Sequence, residues 1–202
     1  TGDILYFSAQ LPDTKGGLDI YYSKFKNNQW GEPQNFAEIN SISDEVAPSM
    51  SAKYDFIFFA RKHPTDKDDV FTHKILYAKR TKTGNYGNPI MLPKKINTSD
   101  ENHPFLTEDN KILYFSSKRD KDPEGYNLFF SKMVADNVWT DPEPLVTLNS
   151  DFDDICPSKI ANTEKLIYAQ FLEKRKSEIG DVVTAKLSPQ NSIPKKVFEF
   201  NG

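Results

Sequence analysis

Acidic residues stand in pairs at three places along the chain, each pair followed by a proline three residues later. The pairs are Asp44 and Glu45, Asp100 and Glu101, and Asp153 and Asp154. Clustered carboxylates could bind a hard cation such as calcium through oxygen ligands, or accept hydrogen bonds from sugar hydroxyls. The alternative is structural: each carboxylate accepts backbone N–H groups in a turn that starts a strand. Because the pair recurs, the pattern favours the structural role.

The residue immediately before each of these prolines differs among the three copies. Ala47, His103 and Cys156 occupy this position. A histidine and a thiol together could meet a soft metal. Two ligands are only half of a metal site, so we expect that His103 is hydrogen-bonded and that Cys156 packs as a small apolar residue.

Sequence motifs for catalysis are missing. The chain has no G-x-S-x-G elbow, no H-E-x-x-H zinc helix and no glycine-rich phosphate loop. Paired carboxylates could serve a glycosidase, which needs two of them about 5–10 Å apart. Carboxylates alone are common in acidic domains, and we therefore predict that the protein is not an enzyme.

An apolar triplet recurs four times and shows that the chain is an internal repeat. The copies are Tyr6-Phe7-Ser8, Phe58-Phe59-Ala60, Tyr114-Phe115-Ser116 and Tyr168-Ala169-Gln170, and their first residues lie 52, 56 and 54 positions apart. Segments ending in Lys24, Lys79, Lys132 and Lys186 keep the same period, as do turns that contain Trp30, Tyr86 and Trp139. Periods near this length, built from short strands, are typical of propeller blades.

Each repeat is predicted to form four short antiparallel strands, here called a to d. Runs such as Ile4–Ser8 and Ile112–Ser116 are β-branched and aromatic, bounded by polar residues, as in strands rather than helices. Such a sheet cannot bury both its faces alone, so neighbouring copies must pack around an axis. The predicted fold class is all-β, a β-propeller of about four blades, with repeats near residues 1–42, 43–98, 99–151 and 152–202.

The repeated pattern resembles the WD-repeat-like propeller of the TolB type, which is common in the envelope of Gram-negative bacteria. The matching elements are the acidic pair, the Pro-Ser that follows it, ILYFS, DIYYSK, Trp-Gly-x-Pro and Ile-Asn-Ser. The resemblance covers essentially all 202 residues. It implies a periplasmic, outer-membrane-associated or secreted protein, but no activity, because the fold is shared so widely.

The ends of the repeat suggest an incomplete first blade. Thr1-Gly2-Asp3 resembles the turn between strands a and b, so strand a of the first copy would lie before residue 1. Either the chain is a piece of a larger propeller, or it closes as four blades with a three-stranded first blade. The sequence favours the piece.

On a propeller the acidic pairs lie between strand d of one copy and strand a of the next, at the mouth of the central channel. We therefore predict a binding surface there, formed by Asp44, Glu45, Asp100, Glu101, His103, Asp153 and Asp154. The loops between strands b and c open on the same face, and two of them contain acidic runs, at residues 66–69 and 120–125. These runs could hold a cation, although neither has EF-hand spacing. No cofactor is predicted beyond a possible structural calcium.

Composition excludes several functional classes. A net charge of −3 argues against general nucleic-acid binding, and no stretch approaches the ~18 apolar residues of a membrane helix. The single cysteine excludes an internal disulfide. We expect a non-catalytic module that offers its loops to a protein partner or an envelope glycan. The alternative is a propeller-type glycoside hydrolase or lyase acting at the channel mouth.

Overall fold

β-Strands make up the regular structure of the chain. The computed structural model describes residues 2–65, 70–119, 125–171, 180–187 and 195–199. Within these residues the chain forms seventeen strands and no helix, so none of them belongs to a helix that could cross a membrane.

The strands fall into four groups along the chain. The first two groups are β1 (Ile4–Ala9), β2 (Asp19–Lys26), β3 (Gln29–Trp30) and β4 (Gln34–Asn35), then β5 (Glu45–Met50), β6 (Phe56–Pro64), β7 (Phe71–Lys79) and β8 (Ile90–Met91). The last two are β9 (Glu101–Leu106), β10 (Ile112–Ser117), β11 (Asn127–Ala135), β12 (Val138–Trp139) and β13 (Glu143–Pro144), then β14 (Asp154–Lys159), β15 (Lys165–Phe171), β16 (Gly180–Lys186) and β17 (Lys195–Glu199).

Each group forms one antiparallel sheet, and the four sheets are the blades of a four-blade β-propeller. The second blade has the order β5-β6-β7-β8, and the fourth has β14-β15-β16-β17. In the third blade, strands a to d are β9, β10, β11 and β13. The short strand β12 pairs with the far end of β11. In the first blade β1, β2 and β4 correspond to strands b, c and d. The predicted fold class is confirmed.

Apolar side chains join neighbouring blades in three clusters. Ile20 and Phe36 of the first blade pack with Ile57 and Phe59 of the second. Side chains of the second and third blades form another cluster, which includes Phe58, Tyr77, Phe115 and Trp139. Tyr114, Leu128, Leu166 and Tyr168 are among those that join the third blade to the fourth. Because side chains alternate along a strand, each middle blade fills two clusters.

The fourth copy of the apolar triplet lies one residue earlier than the sequence spacing predicted. Lys165 pairs with Lys186, just as Ile112 pairs with Lys132. The counterpart of Tyr114 is therefore Ile167, and Tyr168 corresponds to Phe115. A shift of one residue moves a side chain to the opposite face of a sheet, and Tyr168 is accordingly buried against the third blade.

A β-bulge interrupts the inner strand of the second, third and fourth blades. Register shifts lie between Val46 and Ser49 and at matching places in the other two blades. The bulged residues are Ala47, His103 and Cys156, with φ of 52°, 50° and 56°. These left-handed values are uncommon for residues other than glycine, asparagine, aspartate and histidine, so those of Ala47 and Cys156 are unusual. Their recurrence shows that the bulge belongs to the repeat and bends each inner strand in the same way.

One asparagine in each of the first three repeats fixes the connection that leaves strand d, and two of them, Asn40 and Asn97, are buried. Asn40 accepts a hydrogen bond from the N–H of Ile20 at 2.9 Å and donates one to its carbonyl at 2.9 Å. Asn97 makes the same two bonds to Ile75, and Asn149 makes them to Leu128. Each amide thus replaces a strand where the sheet ends, which explains the repeated Ile-Asn or Leu-Asn.

The strand directions divide the molecule into two ends. We call the end with the b-to-c loops and the d-to-a connections the loop face. The end with the a-to-b turns and the c-to-d loops is the turn face. The acidic pairs lie on the loop face, at or next to the first residues of strands β5, β9 and β14.

Candidate functional site

The first carboxylate of each acidic pair bonds to the preceding blade. Asp44 Oδ1 accepts a hydrogen bond from the backbone N–H of Leu18 at 2.9 Å. Asp100 accepts one from the N–H of His73 at 2.7 Å, and Asp153 accepts one from Tyr126 at 2.6 Å. The three donors lie near the start of strand c: Leu18 and Tyr126 directly precede β2 and β11, and His73 is the third residue of β7. We call these contacts the interblade hydrogen bonds, and they satisfy N–H groups that would otherwise lack a partner.

Local sequence makes room for the first of these contacts. Gly17 precedes Leu18, and a Cβ at Gly17 would lie 1.9 Å from Asp44 Oδ1. Any side chain there would push the carboxylate away. The hydrogen bond from Leu18 is the main reason that the pKa of Asp44 is lowered. Burial opposes this effect, and the ammonium of Lys62 adds to it. Asp44 therefore stays ionised.

Asp100 has more partners than its two counterparts. Burial opposes its ionisation, but hydrogen bonds from His73 and Tyr126 outweigh burial and lower its pKa. The ring Nδ1 of His73 lies 3.1 Å from Asp100 Oδ1, and the Tyr126 hydroxyl donates to Oδ2 at 2.8 Å. The carboxylate is thus shared between the second and third blades.

The second carboxylate of each pair closes a turn inside its own connection. Glu45 accepts hydrogen bonds from the N–H of Ser41 at 2.9 Å, from the Ser41 hydroxyl, and from Arg61 Nε at 2.6 Å. Glu101 and Asp154 accept the N–H of Ser99 and Ser150, at 2.8 and 2.6 Å. All three carboxylates are buried.

Burial shifts the titration of two of these groups. It raises the pKa of Glu101 against the opposing effects of the Ser99 N–H, Lys74 and Arg119. It also raises the pKa of Asp154. Raised carboxyl pKa values occur in catalytic acids, but here the same position is acidic in three blades and holds a turn in each.

The structure thus assigns protein partners to all six predicted carboxylates. No group of three or more potential metal ligands occurs among the residues that the structure describes. The acidic run at residues 66–69 lies outside the described residues. Residues 120–124 of the second run also lie outside them. A cation site in those loops, and calcium as its occupant, stay predictions.

His103 differs in its surroundings from the other bulged residues. Its ring packs edge-on against Tyr126, with centroids 6.2 Å apart, and Lys118 Nζ lies 4.6 Å from the Tyr126 centroid. The N–H of His103 donates to Asn102 Oδ1, whereas its ring Nδ1 is buried with no hydrogen-bond partner in the described part of the chain. The expected hydrogen bond to the ring is therefore not seen at Nδ1. The repeat could not have revealed these surroundings. They are formed by His73, Tyr126 and Lys118, and these residue types are not repeated at the matching positions of all blades.

Cys156 is exposed, and the expectation that it packs as a small apolar residue is wrong. Cys156 lies at the left-handed bulge of β14, with a φ of 56°. Sequence alternation alone could not show this, because a bulge adds one residue to the strand.

Replacing His103 with asparagine is expected to reduce the loss of stability in acid. Burial, with a further contribution from His73, lowers the pKa of His103 to about 4. Between about pH 4 and 6.5 the unfolded chain binds a proton here that the folded protein does not, so stability falls as pH falls through this window. From pH 7 to 4.5 the wild type should lose about 2 kcal/mol more than His103→Asn, measured by urea unfolding.

Asparagine suits this comparison because it tolerates the left-handed conformation. Parallel pH profiles for the two proteins would contradict a buried neutral His103.

Exposed apolar side chains gather around Asp44 on the loop face. Ile42 is 89% exposed and Phe71 is 51% exposed. Lys62 contacts both Asp44 and Phe71, because its Nζ lies 3.3 Å from Asp44 Oδ2 and 4.7 Å from the Phe71 ring centroid. Ile42 lies two residues before Asp44 in the chain. Large exposed apolar groups beside a charge pair are typical of interaction surfaces.

No family model and no curated protein matches the chain. Solved structures do match its fold. TolB from Acinetobacter baumannii is 14% identical, with a TM-score of 0.60 over 98% of this chain and 41% of that chain. A structure assigned as a TolB of Agrobacterium tumefaciens is 14% identical, with a TM-score of 0.64 over 98% and 63%. A thermostable family-43 glycoside hydrolase is 14% identical, with a TM-score of 0.63 over 96% and 69%.

These similarities show the fold alone. The resemblance to TolB-type propellers, first indicated by the repeat, is confirmed at the level of the fold. The chain spans 41% and 63% of the length of the two TolB structures. The same propeller architecture also occurs in a glycoside hydrolase, so the fold does not distinguish a binding module from an enzyme.

Proposed function

We propose that this chain is a non-catalytic binding module whose loop face receives a protein partner or an envelope glycan. The observation that carries the proposal is the use of the acidic pairs. All six carboxylates accept hydrogen bonds from turns or from neighbouring blades. A catalytic pair would instead be confined to one or two blades and would face a substrate.

The exposed groups of the loop face support binding. Ile42 and Phe71 present apolar surface on a rigid scaffold, and the charge pair of Asp44 and Lys62 contacts Phe71 through Lys62. Loops carried by rigid sheets commonly hold binding residues. The resemblance to TolB-type proteins of the Gram-negative envelope supports a periplasmic, outer-membrane-associated or secreted location as part of this proposal.

Site-specific photocrosslinking tests the proposal. A photoreactive amino acid at position 42 or 71 should crosslink to one discrete species in an envelope fraction of the source organism. The same group at position 108, an exposed residue in the a-to-b turn of the third blade on the turn face, should not. The double variant Ile42→Ser/Phe71→Ser should lose the identified partner at an unchanged melting temperature, because exposed substitutions seldom alter stability.

Hydrolysis assays address the enzymatic alternative. Turnover of aryl glycosides or of polysaccharide that is abolished by Asp100→Asn would overturn the non-catalytic function. Crosslinks that form equally from positions 42 and 108 would overturn the loop face as the binding surface.

A further inference from the structure

A groove opens between the first two blades on the turn face, at the opposite end from the acidic pairs. Its volume is about 390 Å³, within the range of about 300–1,000 Å³ that is usual for small-molecule sites. Tyr6, Tyr22 and Phe36 of the first blade form one side. Arg80 and Tyr86 of the second blade form the other.

Aromatic rings give the groove its walls. Tyr6 and Phe36 stack with centroids 6.2 Å apart, and Tyr22 meets Phe36 edge-on at 5.7 Å. Tyr86 closes the far side with its ring 5.3 Å from Phe36, and its hydroxyl donates to the carbonyl of Tyr54 at 2.6 Å. Tyr86 is therefore held in place before any ligand arrives.

Polar groups in the groove remain available to a ligand. The hydroxyls of Tyr6 and Tyr22 form no hydrogen bond within residues 2–65, 70–119 and the other described ranges. Burial, together with the nearby tyrosines, raises the pKa of Tyr6, so its hydroxyl stays protonated and can donate.

Charge at the groove favours an anion. Arg80 donates from Nε to the carbonyl of Gly84 at 3.0 Å, which orients the guanidinium. Arg80 and Lys24 form no ion pair among the described residues. The lining thus contains two cations, and Glu38 is its one carboxylate in this part of the structure. A guanidinium matches a carboxylate with two parallel N–H bonds.

The repeat provides an internal comparison. Strand pairing shows which residues match between the two joints. In the joint between the second and third blades, Phe58 is equivalent to Tyr6, and Tyr77 is equivalent to Tyr22. Met133 and Trp139 stand there in place of Arg80 and Tyr86. Phe58, Tyr77 and Trp139 belong to one apolar cluster, and Met133 packs against it. This joint therefore packs without a hydroxyl at the place of Tyr6 and without a guanidinium at the place of Arg80, so the presence of these two groups in the first groove needs another explanation.

We propose that this groove binds a glycan that carries a uronic acid. The apolar face of a pyranose ring would lie on the tyrosine rings, its hydroxyls would bond to Tyr6, Tyr22 and Glu38, and its carboxylate would bond to Arg80 and Lys24. This site is distinct from the loop face and goes beyond the function proposed above.

Titration with digalacturonate, followed by ¹H–¹⁵N NMR and calorimetry at constant ionic strength, tests the proposal. Amide signals of residues 6, 22, 80 and 86 should shift, and galactobiose, the uncharged analogue, should bind about tenfold more weakly. Arg80→Gln should weaken digalacturonate binding about tenfold, since one charge-assisted contact is lost. Lys82→Gln is the matched control, because it removes a nearby exposed charge outside the groove and should change binding less than about twofold.

Three results would overturn the proposal. One is an absence of shifts in the groove at about 10 mM digalacturonate, a concentration that would detect even millimolar affinity. Another is equal binding by wild type and Arg80→Gln. The third is binding of an acidic peptide at these residues without binding of the uronate. The loop-face variant Ile42→Ser/Phe71→Ser should bind digalacturonate normally, which separates this test from the test of the proposed function.

Discussion

Replacing Trp139 with alanine is expected to lower the free energy of unfolding by about 3–5 kcal/mol. Trp139 is only 4% exposed and meets Phe58 edge-on with ring centroids 6.4 Å apart. Its removal would leave a cavity in the cluster that joins the second and third blades. Denaturant unfolding followed by circular dichroism measures the loss without depending on tryptophan fluorescence.

Trp30 is the matched control, because it occupies the same place in the first repeat. It is 48% exposed, and its main ring contact is Phe25 at 5.1 Å. Trp30→Ala should cost about 1 kcal/mol or less, since much of the ring already contacts water. Equal losses in the two variants would show that packing between blades does not determine the role of this residue.

Replacing Glu45 with alanine is expected to destabilise the protein by about 3 kcal/mol. The carboxylate is fully buried, and its loss leaves the mostly buried guanidinium of Arg61 without a counterion. The N–H and hydroxyl of Ser41 lose their acceptor at the same time. Unpaired buried groups cost more than the bonds themselves contribute. The change in melting temperature and in the denaturant midpoint measures the effect.

Glu32→Ala serves as the control for the loss of an acidic residue, because Glu32 is exposed. It should change stability by less than about 0.5 kcal/mol. Glu45→Gln keeps an oxygen acceptor and should fall between the two. If Glu45→Ala were as stable as Glu32→Ala and lost binding of a partner, the acidic pair would be a ligand site instead of a structural element.

The strands and their assembly could be predicted because the repeat supplied several landmarks in register. Runs of β-branched and aromatic residues bounded by polar residues, as in Ile4–Ser8 and its copies, identified strand b. Spacing alone placed the fourth triplet at Tyr168, one residue too late. Backbone pairing of Lys165 with Lys186 corrects it, and loop lengths that differ between copies hide such a slip in the sequence.

Side-chain surroundings could be predicted less well. The turn aromatics Trp30, Tyr86 and Trp139 have the same sequence setting, yet their burial depends on the blade before them. Tyr86 packs on Phe36 of the first blade, and Trp139 packs on Phe58 of the second. Among the described residues no blade precedes Trp30. A single repeat contains no information about its neighbour.

The bulges were also hidden, because alanine and cysteine, at Ala47 and Cys156, are not residue types that usually signal a left-handed conformation, and one histidine does not mark a repeated feature. The hydrogen bonds that the carboxylates accept, by contrast, are those expected from a structural role, which was the hypothesis favoured by the recurrence of the pairs. What the sequence could not show is that the first acid of each pair bonds to the preceding blade.

The direction of the interblade hydrogen bonds has a consequence for biosynthesis. Each carboxylate accepts an N–H that lies 26 or 27 residues earlier in the chain. On the ribosome the donor strand therefore emerges before its acceptor, and folding of a repeat protein can begin in one repeat and propagate to its neighbour. The first carboxylate of each newly emerged acidic pair can then accept its hydrogen bond from a hairpin that is already outside the exit tunnel. The nascent propeller can thus be assembled one blade at a time, without waiting for its last residues.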